Sequence, residues 1–212
     1  MFNIFSREGL ITFLYTLPAL LISLAIHEFA HAFVAYKLGD RSQKAMGRLT
    51  LHPFAHIDWM GFLCIALIGF GWGKPVMVDD RNFKNRSRDN MLVALAGPMS
   101  NLLLAILFTA IFKILIITGV ADSFNITFIR MFYYAIAFNV VFAVFNMLPI
   151  PPFDGSKVLF FFLPNRYKDV MYTLEKYSFY IILIFVFTNL DSLIISPIIN
   201  FILNIIDKII FM

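Results

Sequence analysis

Apolar residues run almost unbroken from Leu10 to Ala35, interrupted only by three ionisable residues and a few Ser, Thr, Tyr and Pro. Taken on to Tyr36 the stretch is 27 residues long. As an α-helix it would measure about 40 Å, more than one hydrocarbon thickness. The pattern predicts a tilted membrane span with Pro18 bending its outer half. Met91 to Val120 and Ile126 to Leu148 repeat the pattern, and the turn between them carries Gly119, Asp122 and Asn125. They read as an antiparallel helical hairpin. Tyr177 to Leu190 completes a fourth span if its helix starts a few residues earlier. Ser192 to Met212, with Pro197, Asp207 and Lys208, fits either a return across the membrane or a helix lying along its surface.

Between the first two spans the pattern changes. Gly39 to Pro53 is polar, and Gly47-Arg48-Leu49-Thr50-Leu51-His52 alternates as a short strand does, so a small β element is expected at the membrane edge. Ile57 to Trp72 is apolar but only 16 residues long and contains Gly61, Gly69 and Gly71. It is short for a span and glycine-rich for a helix, which predicts a re-entrant segment. Lys74 to Asn90 is densely charged and faces water. The third span stops at Asn146-Met147-Leu148-Pro149-Ile150-Pro151-Pro152-Phe153-Asp154-Gly155, where three prolines end the helix and hold an extended segment.

Composition agrees with the periodicity. The chain has 212 residues, 60% of them hydrophobic and 14% charged, with a mean hydropathy of +0.83, which excludes an ordinary soluble domain. The expected fold class is an all-α polytopic membrane protein, one helical bundle with a small β element and a re-entrant segment. Met1 to Gly9 has no cationic run and no small-residue cleavage site follows, so no cleaved signal is expected. Cys64 is the only cysteine; it excludes an internal disulfide and reads as a small buried apolar side chain. Of the 17 basic residues, nine (37, 41, 44, 48, 74, 81, 84, 86, 88) lie in the first long connection and four more (157, 166, 168, 176) after Asp154. By the positive-inside rule that side is cytoplasmic. These arginines and lysines serve orientation and headgroup contact, and no nucleic-acid partner is expected.

Candidate chemistry sits inside the first span. His27 and His31 in Ile26-His27-Glu28-Phe29-Ala30-His31 are four apart, on one helix face one turn from each other, and suit a single zinc ion. Glu28 follows the first histidine, placed to act as general base on water at the metal. A catalytic zinc usually takes three protein ligands, and Asp154, at the mouth of the proline-fixed segment, is the best third. Asp154 can meet the histidines only if the first and third spans end on the same side, so no net crossing is allowed between Lys37 and Asn90. Asn146, at the inner end of the third span, can offer its amide to a substrate carbonyl or oxyanion. Ala96-Gly97-Pro98-Met99-Ser100-Asn101 puts small residues where helices approach closely and adds Asn101 as a polar group in the bundle. His52 and His56 are also four apart, but Pro53 argues against a helix there, which favours loop hydrogen bonding over a second metal site. Asp58 either orients His56 or caps the following segment.

With these three stretches together, the sequence resembles the site-2 protease family of intramembrane zinc metalloproteases. HEFAH at 27–31, AGPMSN at 96–101 and NMLPIPPFDG at 146–155 carry the resemblance, which runs through nearly the whole transmembrane core. It implies that His27, His31 and Asp154 ligate zinc, that Glu28 is the catalytic base, and that Gly97 and Asn101 belong to a core motif. Asn146, and with it Asn101, is implied at the substrate site. Gly47 to Pro53 and His56-Ile57-Asp58 further resemble a compact bacterial branch, in which Asn rather than His is expected at position 52. No stretch is long enough for an appended PDZ or CBS domain, so residues 1–212 are expected to form a single transmembrane metalloprotease domain. The implied reaction is hydrolysis of a peptide bond within or near a transmembrane segment of a membrane-protein substrate, in the bilayer of a bacterial cytoplasmic membrane. The alternating stretch 47–52 would receive the unwound substrate by strand addition. Two other classes use the same residues: a catalytically silent protein of this fold that captures helices, and a metal or ion transporter that relays through the histidines.

Overall fold

Four helices are long and apolar enough to cross a membrane, Arg7–Leu38, Arg86–Ile117, Ile126–Asn146 and Leu193–Phe211, and the other described elements are short pieces between them. The computed structural model describes residues 6–69, 71–188 and 191–211. In chain order the α-helices are α1 (Arg7–Leu38), α2 (Ser42–Ala45), α3 (Trp59–Ile68), α4 (Arg86–Ile117), α5 (Ile126–Asn146), α6 (Asp154–Phe162), α7 (Lys168–Lys176), α8 (Ser178–Phe187) and α9 (Ser196–Phe211). A π-helical turn, Asp191–Ile195, leads into α9. The chain is a multi-pass membrane protein.

Local chemistry sets the helix ends. Ser6 caps α1 through Gly9 N–H, Asn85 caps α4 through Arg88 N–H, and Asn125 caps α5 through Thr127 N–H, each oxygen satisfying an amide that the helix cannot. Gly39, with φ of 117°, ends α1 in the left-handed conformation that glycine alone adopts cheaply. Within the spans, Thr16, Ser23 and Thr109 donate their hydroxyls to Phe13, Ala19 and Ala105 carbonyls, so these three are paired away from water. The outward face of α4, with Leu103, Ile106, Leu107, Ile114 and Ile117, is exposed and apolar, as a lipid-facing surface must be.

α4 is the centre of the bundle and packs against α1, α5, α6 and α9. At one end Ala35 of α1, Phe83 and Val93 of α4 form a buried cluster, with Val34, Leu38 and Val78 against it. The end of α1 and the start of α4 therefore lie at the same level. α3 is ten residues long, about 15 Å or half a hydrocarbon thickness, and the chain then doubles back along it. A Cβ on Gly61 would lie 2.1 Å from the Trp72 carbonyl and one on Gly71 2.0 Å from the Gly61 carbonyl, a close approach open to glycine alone. Ile57 and Gly73, on either side of this turn, lie side by side.

Two expectations are corrected. Residues 47–52 form no strand; among the described residues the β pairing is one isolated antiparallel bridge, Ile57 to Gly73. The alternation there has a different cause, because Arg48 is buried to serve backbone carbonyls while Leu51 and His52 point outward. The fourth long apolar helix is the C-terminal one, not Tyr177 to Leu190. α7 and α8 break at Tyr177, α8 is ten residues long, and Leu190 lies outside the described residues. α9 packs Ile210 against Phe112 and Ile136, and Lys113 donates to the Ile209 carbonyl at 2.7 Å.

Candidate metal centre

α1 carries His27 and His31 one turn apart, buried against α4, with their rings edge to face and centroids 4.6 Å apart. Their Nε2 atoms are 3.0 Å from each other. Asp154, the first residue of α6, brings Oδ2 to 3.2 Å from His27 Nε2 and 3.1 Å from His31 Nε2. Among the described residues this is the group of side chains able to share a metal ion.

The hydrogen bonds behind the triad fix which nitrogens carry protons. His31 Nδ1 is 2.7 Å from the Val93 carbonyl, which only accepts, so Nδ1 is the protonated nitrogen. His27 Nδ1 is 2.7 Å from Asn101 Oδ1. The orientation of that amide is itself set by carbonyls. Asn139 Nδ2 donates to the Ala135 carbonyl at 2.8 Å, leaving its Oδ1 to accept from Asn101 Nδ2 at 2.8 Å; Asn101 Nδ2 also donates to the Ser23 carbonyl at 3.0 Å. Asn101 Oδ1 must therefore accept from His27 Nδ1–H. In the neutral imidazoles both Nε2 atoms are then bare lone pairs, and they converge with a carboxylate oxygen. Three acceptors with no donor between them repel unless a cation sits among them.

The size also fits. Zinc bonds of about 2.0–2.1 Å in a tetrahedral site separate ligand atoms by roughly 3.3–3.4 Å. The observed edges of 3.0, 3.1 and 3.2 Å fall a few tenths of an ångström short. Gly97 makes the approach of α4 possible, since a Cβ there would lie 2.4 Å from His31 Nε2 and 2.6 Å from His27 Cε1. Asp154 is delivered by a fold-back after α5, where Phe153 N–H bonds the Ile150 carbonyl at 3.1 Å and Phe145 and Phe153 pack edge to face at 4.6 Å.

Glu28 is buried beside the triad, and its Oε2 accepts the Val76 N–H at 3.0 Å. A cavity of about 660 Å³ opens over His27, Glu28, His31 and Asp154, walled mostly by apolar residues including Leu20, Leu24, Phe62, Phe138 and Phe142, with Asn146 on its rim.

The sequence profile of Peptidase family M50 matches residues 15–126 and 113–189. The chain belongs to the M50 family. This is the site-2 protease family, and its zinc is the metal that the M50 triad here suits. The chain is 37% identical over 190 residues to "Putative zinc metalloprotease YwhC" of Bacillus subtilis, covering 88% of this chain and 86% of that protein. It is 30% identical over 185 residues to "Putative zinc metalloprotease Rip2" of Mycolicibacterium smegmatis, covering 83% and 68%. It is 33% identical over 151 residues to "Putative zinc metalloprotease MJ0611" of Methanocaldococcus jannaschii, covering 71% and 72%. No solved structure matches.

Of the residues singled out in this M50 sequence, His27, Glu28, His31, Asp154 and Asn146 come together at the cavity. Asn101 does not reach it: the side chain is fully buried behind His27, with both ends of its amide occupied. His52 is exposed against Phe54, with ring centroids 5.5 Å apart, whereas His56 is buried and donates from Nε2 to the Thr50 carbonyl at 2.8 Å. Asp58 caps α3 by accepting from Gly61 N–H at 2.9 Å. Sequence reading missed the Val93 carbonyl, which no side chain announces. It also missed Asn139, whose signal is one amide within the apolar run 135–145.

Proposed function

We propose that this M50 protein is an intramembrane zinc endopeptidase that hydrolyses a peptide bond within or near a transmembrane segment of a membrane-protein substrate. The observation that carries the reading is the meeting of three bare acceptor atoms with a buried carboxylate in an apolar cavity at membrane depth. His27, His31 and Asp154 hold zinc, and residues 1–212 act as one domain. The ion supplies Lewis acidity, polarising a carbonyl and making water acidic near neutral pH.

Glu28 receives the proton of the attacking water and returns it to the leaving amine. One of its oxygens is engaged by Val76 N–H, which leaves the other for the proton. Asn101 and the Val93 carbonyl keep both Nδ1 protons in place, so each Nε2 stays available to the metal. The apolar walls exclude bulk water and accept the apolar side chains of a membrane segment, and Asn146 offers its amide to a substrate carbonyl. A helical peptide bond is screened by its own hydrogen bonds, so the substrate enters locally unwound. The extended stretch Trp72 to Val78 runs along the cavity and is the backbone nearest to hand for such a segment. The basic residues of the connection support a cytoplasmic position for this end of the bundle in a bacterial cell.

Wild type and Glu28→Gln expressed in bacterial membranes, followed by mass-spectrometric mapping of new chain termini in the membrane fraction, test the reading. New termini inside apolar segments are expected with wild type alone. Changes that persist in Glu28→Gln would mean capture of helices without hydrolysis, and zinc flux into sealed vesicles would mean a transporter; either result overturns it.

A further inference from the structure

The connection between α1 and α4 buries four polar side chains, Asp40, Gln43, Arg48 and His56. The side chains of Asp40, Gln43 and Arg48 converge on one strip, residues 72–79, and His56 meets it through its backbone carbonyl. Asp40 Oδ2 accepts from Asp79 N–H at 2.9 Å and Gln43 Nε2 donates to the Met77 carbonyl. Arg48 Nη1 donates to the Ala55 carbonyl and to the Lys74 carbonyl at 3.4 Å, joining the 53–56 turn to the strip. The His56 carbonyl accepts Lys74 N–H at 2.8 Å, while its imidazole, through the Thr50 carbonyl, ties the turn back onto residues 48–50. Ile57 bridges Gly73. In the middle of the clamped strip Val76 gives its N–H to Glu28. These bonds run unbroken from the Gly47 to Pro53 and His56-Ile57-Asp58 stretches to the carboxylate beside the metal triad, and the M50 chemistry derived above uses neither stretch.

We propose that Arg48 is a positioning residue for Glu28: it fixes residues 73–76 so that the Val76 amide holds one carboxylate oxygen and aims the other at the reacting water. The proposal rests on Glu28 being the base. A merely structural role would leave turnover intact once the protein folds and binds zinc. A positioning role lowers kcat with zinc and KM preserved, since outer groups that orient a site commonly carry 10–100-fold of its activity, about the loss expected here.

The test uses the full-length, zinc-loaded protein in detergent: wild type, Arg48→Gln, Val76→Pro and Glu28→Gln. Hydrogen exchange by mass spectrometry is read alongside zinc content and cleavage of a quenched-fluorescent leucine/alanine transmembrane peptide with lysine flanks. For Arg48→Gln, exchange across 72–79 should rise about tenfold while α1, α4 and α5 stay protected and zinc is retained, with kcat falling about 10–100-fold and KM moving less than about twofold. Val76→Pro removes the amide proton that Glu28 accepts and puts the ring Cδ in its place, and should lower kcat at least as much even if Arg48→Gln fails to fold. Unchanged exchange in Arg48→Gln, loosened exchange with wild-type kcat, or wild-type kcat in Val76→Pro would each overturn the proposal. A peptide left intact by wild type would instead count against the protease reading, and the exchange data would still decide whether Arg48 holds the strip.

Discussion

Gly97→Ala is the smallest change that should empty the metal centre. The added methyl would lie 2.4 Å from His31 Nε2, and 2.6 Å from both His27 Cε1 and His31 Cε1. Ordinary carbon contacts begin near 3.4 Å, so something must move by about 1 Å. α4 is the harder part to move, because it packs along α1, α5, α6 and α9 and holds the histidines through Val93 and Asn101. The imidazoles are easier to displace. Swinging His31 breaks one buried hydrogen bond, about 1–1.5 kcal/mol, which is comparable with the roughly 1–3 kcal/mol of overpacking it relieves. A ligand moved by 1 Å lies far outside the tolerance of about 0.2 Å for metal bonds. We therefore expect a folded protein whose zinc affinity falls at least about 100-fold, equivalent to about 2.7 kcal/mol. The assay is zinc per chain by plasma mass spectrometry after dialysis against a graded series of chelator concentrations, beside a thermal melt in detergent. Gly97→Ala that binds zinc as tightly as wild type would refute the close-approach argument. Loss of the folded state itself would show that the helix seam yields before the histidines do.

Three further outcomes follow from the same contacts. Asn101→Ala leaves His27 Nδ1–H, the Ser23 carbonyl and Asn139 Oδ1 without their partner; zinc affinity should fall about 10–100-fold and the melting temperature should drop, both read on detergent-purified protein. Asp40 should make the α1–α4 connection acid-sensitive. Burial alone would raise its carboxyl, but the Asp79 amide, the Ser42 hydroxyl and amide, and the Asn82 side chain hold it below the usual range. A depressed folded value means that this stabilisation is complete above the unfolded value of about 3.9 and is lost as pH falls through the folded one. Hydrogen exchange of 72–79 should thus be flat from about pH 7 to 5 and, corrected for intrinsic rates, rise below about pH 4; Asp40→Asn should exchange faster at neutral pH and lose that acid limb. His52→Asn should leave zinc content and stability unchanged, because the ring is exposed and packs against Phe54 at the surface.

The chemistry was more legible in this M50 sequence than the architecture around it. Histidines four apart with a glutamate between them constrain a helix face and a metal directly, and a parity argument from basic residues sufficed to bring Asp154 to the same side. The supports were harder to read. Val93 acts through its carbonyl, which every residue possesses, and Gly97 matters for the side chain it lacks. Asn101, which the resemblance implies at the substrate site, orients His27 from behind. The alternation at 47–52 imitates a strand, but Arg48 turns inward for backbone carbonyls rather than for sheet packing. The extended backbone that does lie along the cavity, 72–78, has Pro75 and two glycine-spaced approaches instead of alternation. At the C-terminus, Pro197 and the charges at 207 and 208 obscured a helix that in fact packs along α4 and α5.

The central claim is that His27, His31 and Asp154 hold one zinc ion in front of Glu28. Metal analysis of detergent-purified wild type beside Asp154→Ala, His27→Ala and Glu28→Gln tests it most directly. About one zinc per chain is expected in wild type and Glu28→Gln, and none retained in the two ligand variants. Zinc that persists in Asp154→Ala, or is lost in Glu28→Gln, would contradict it.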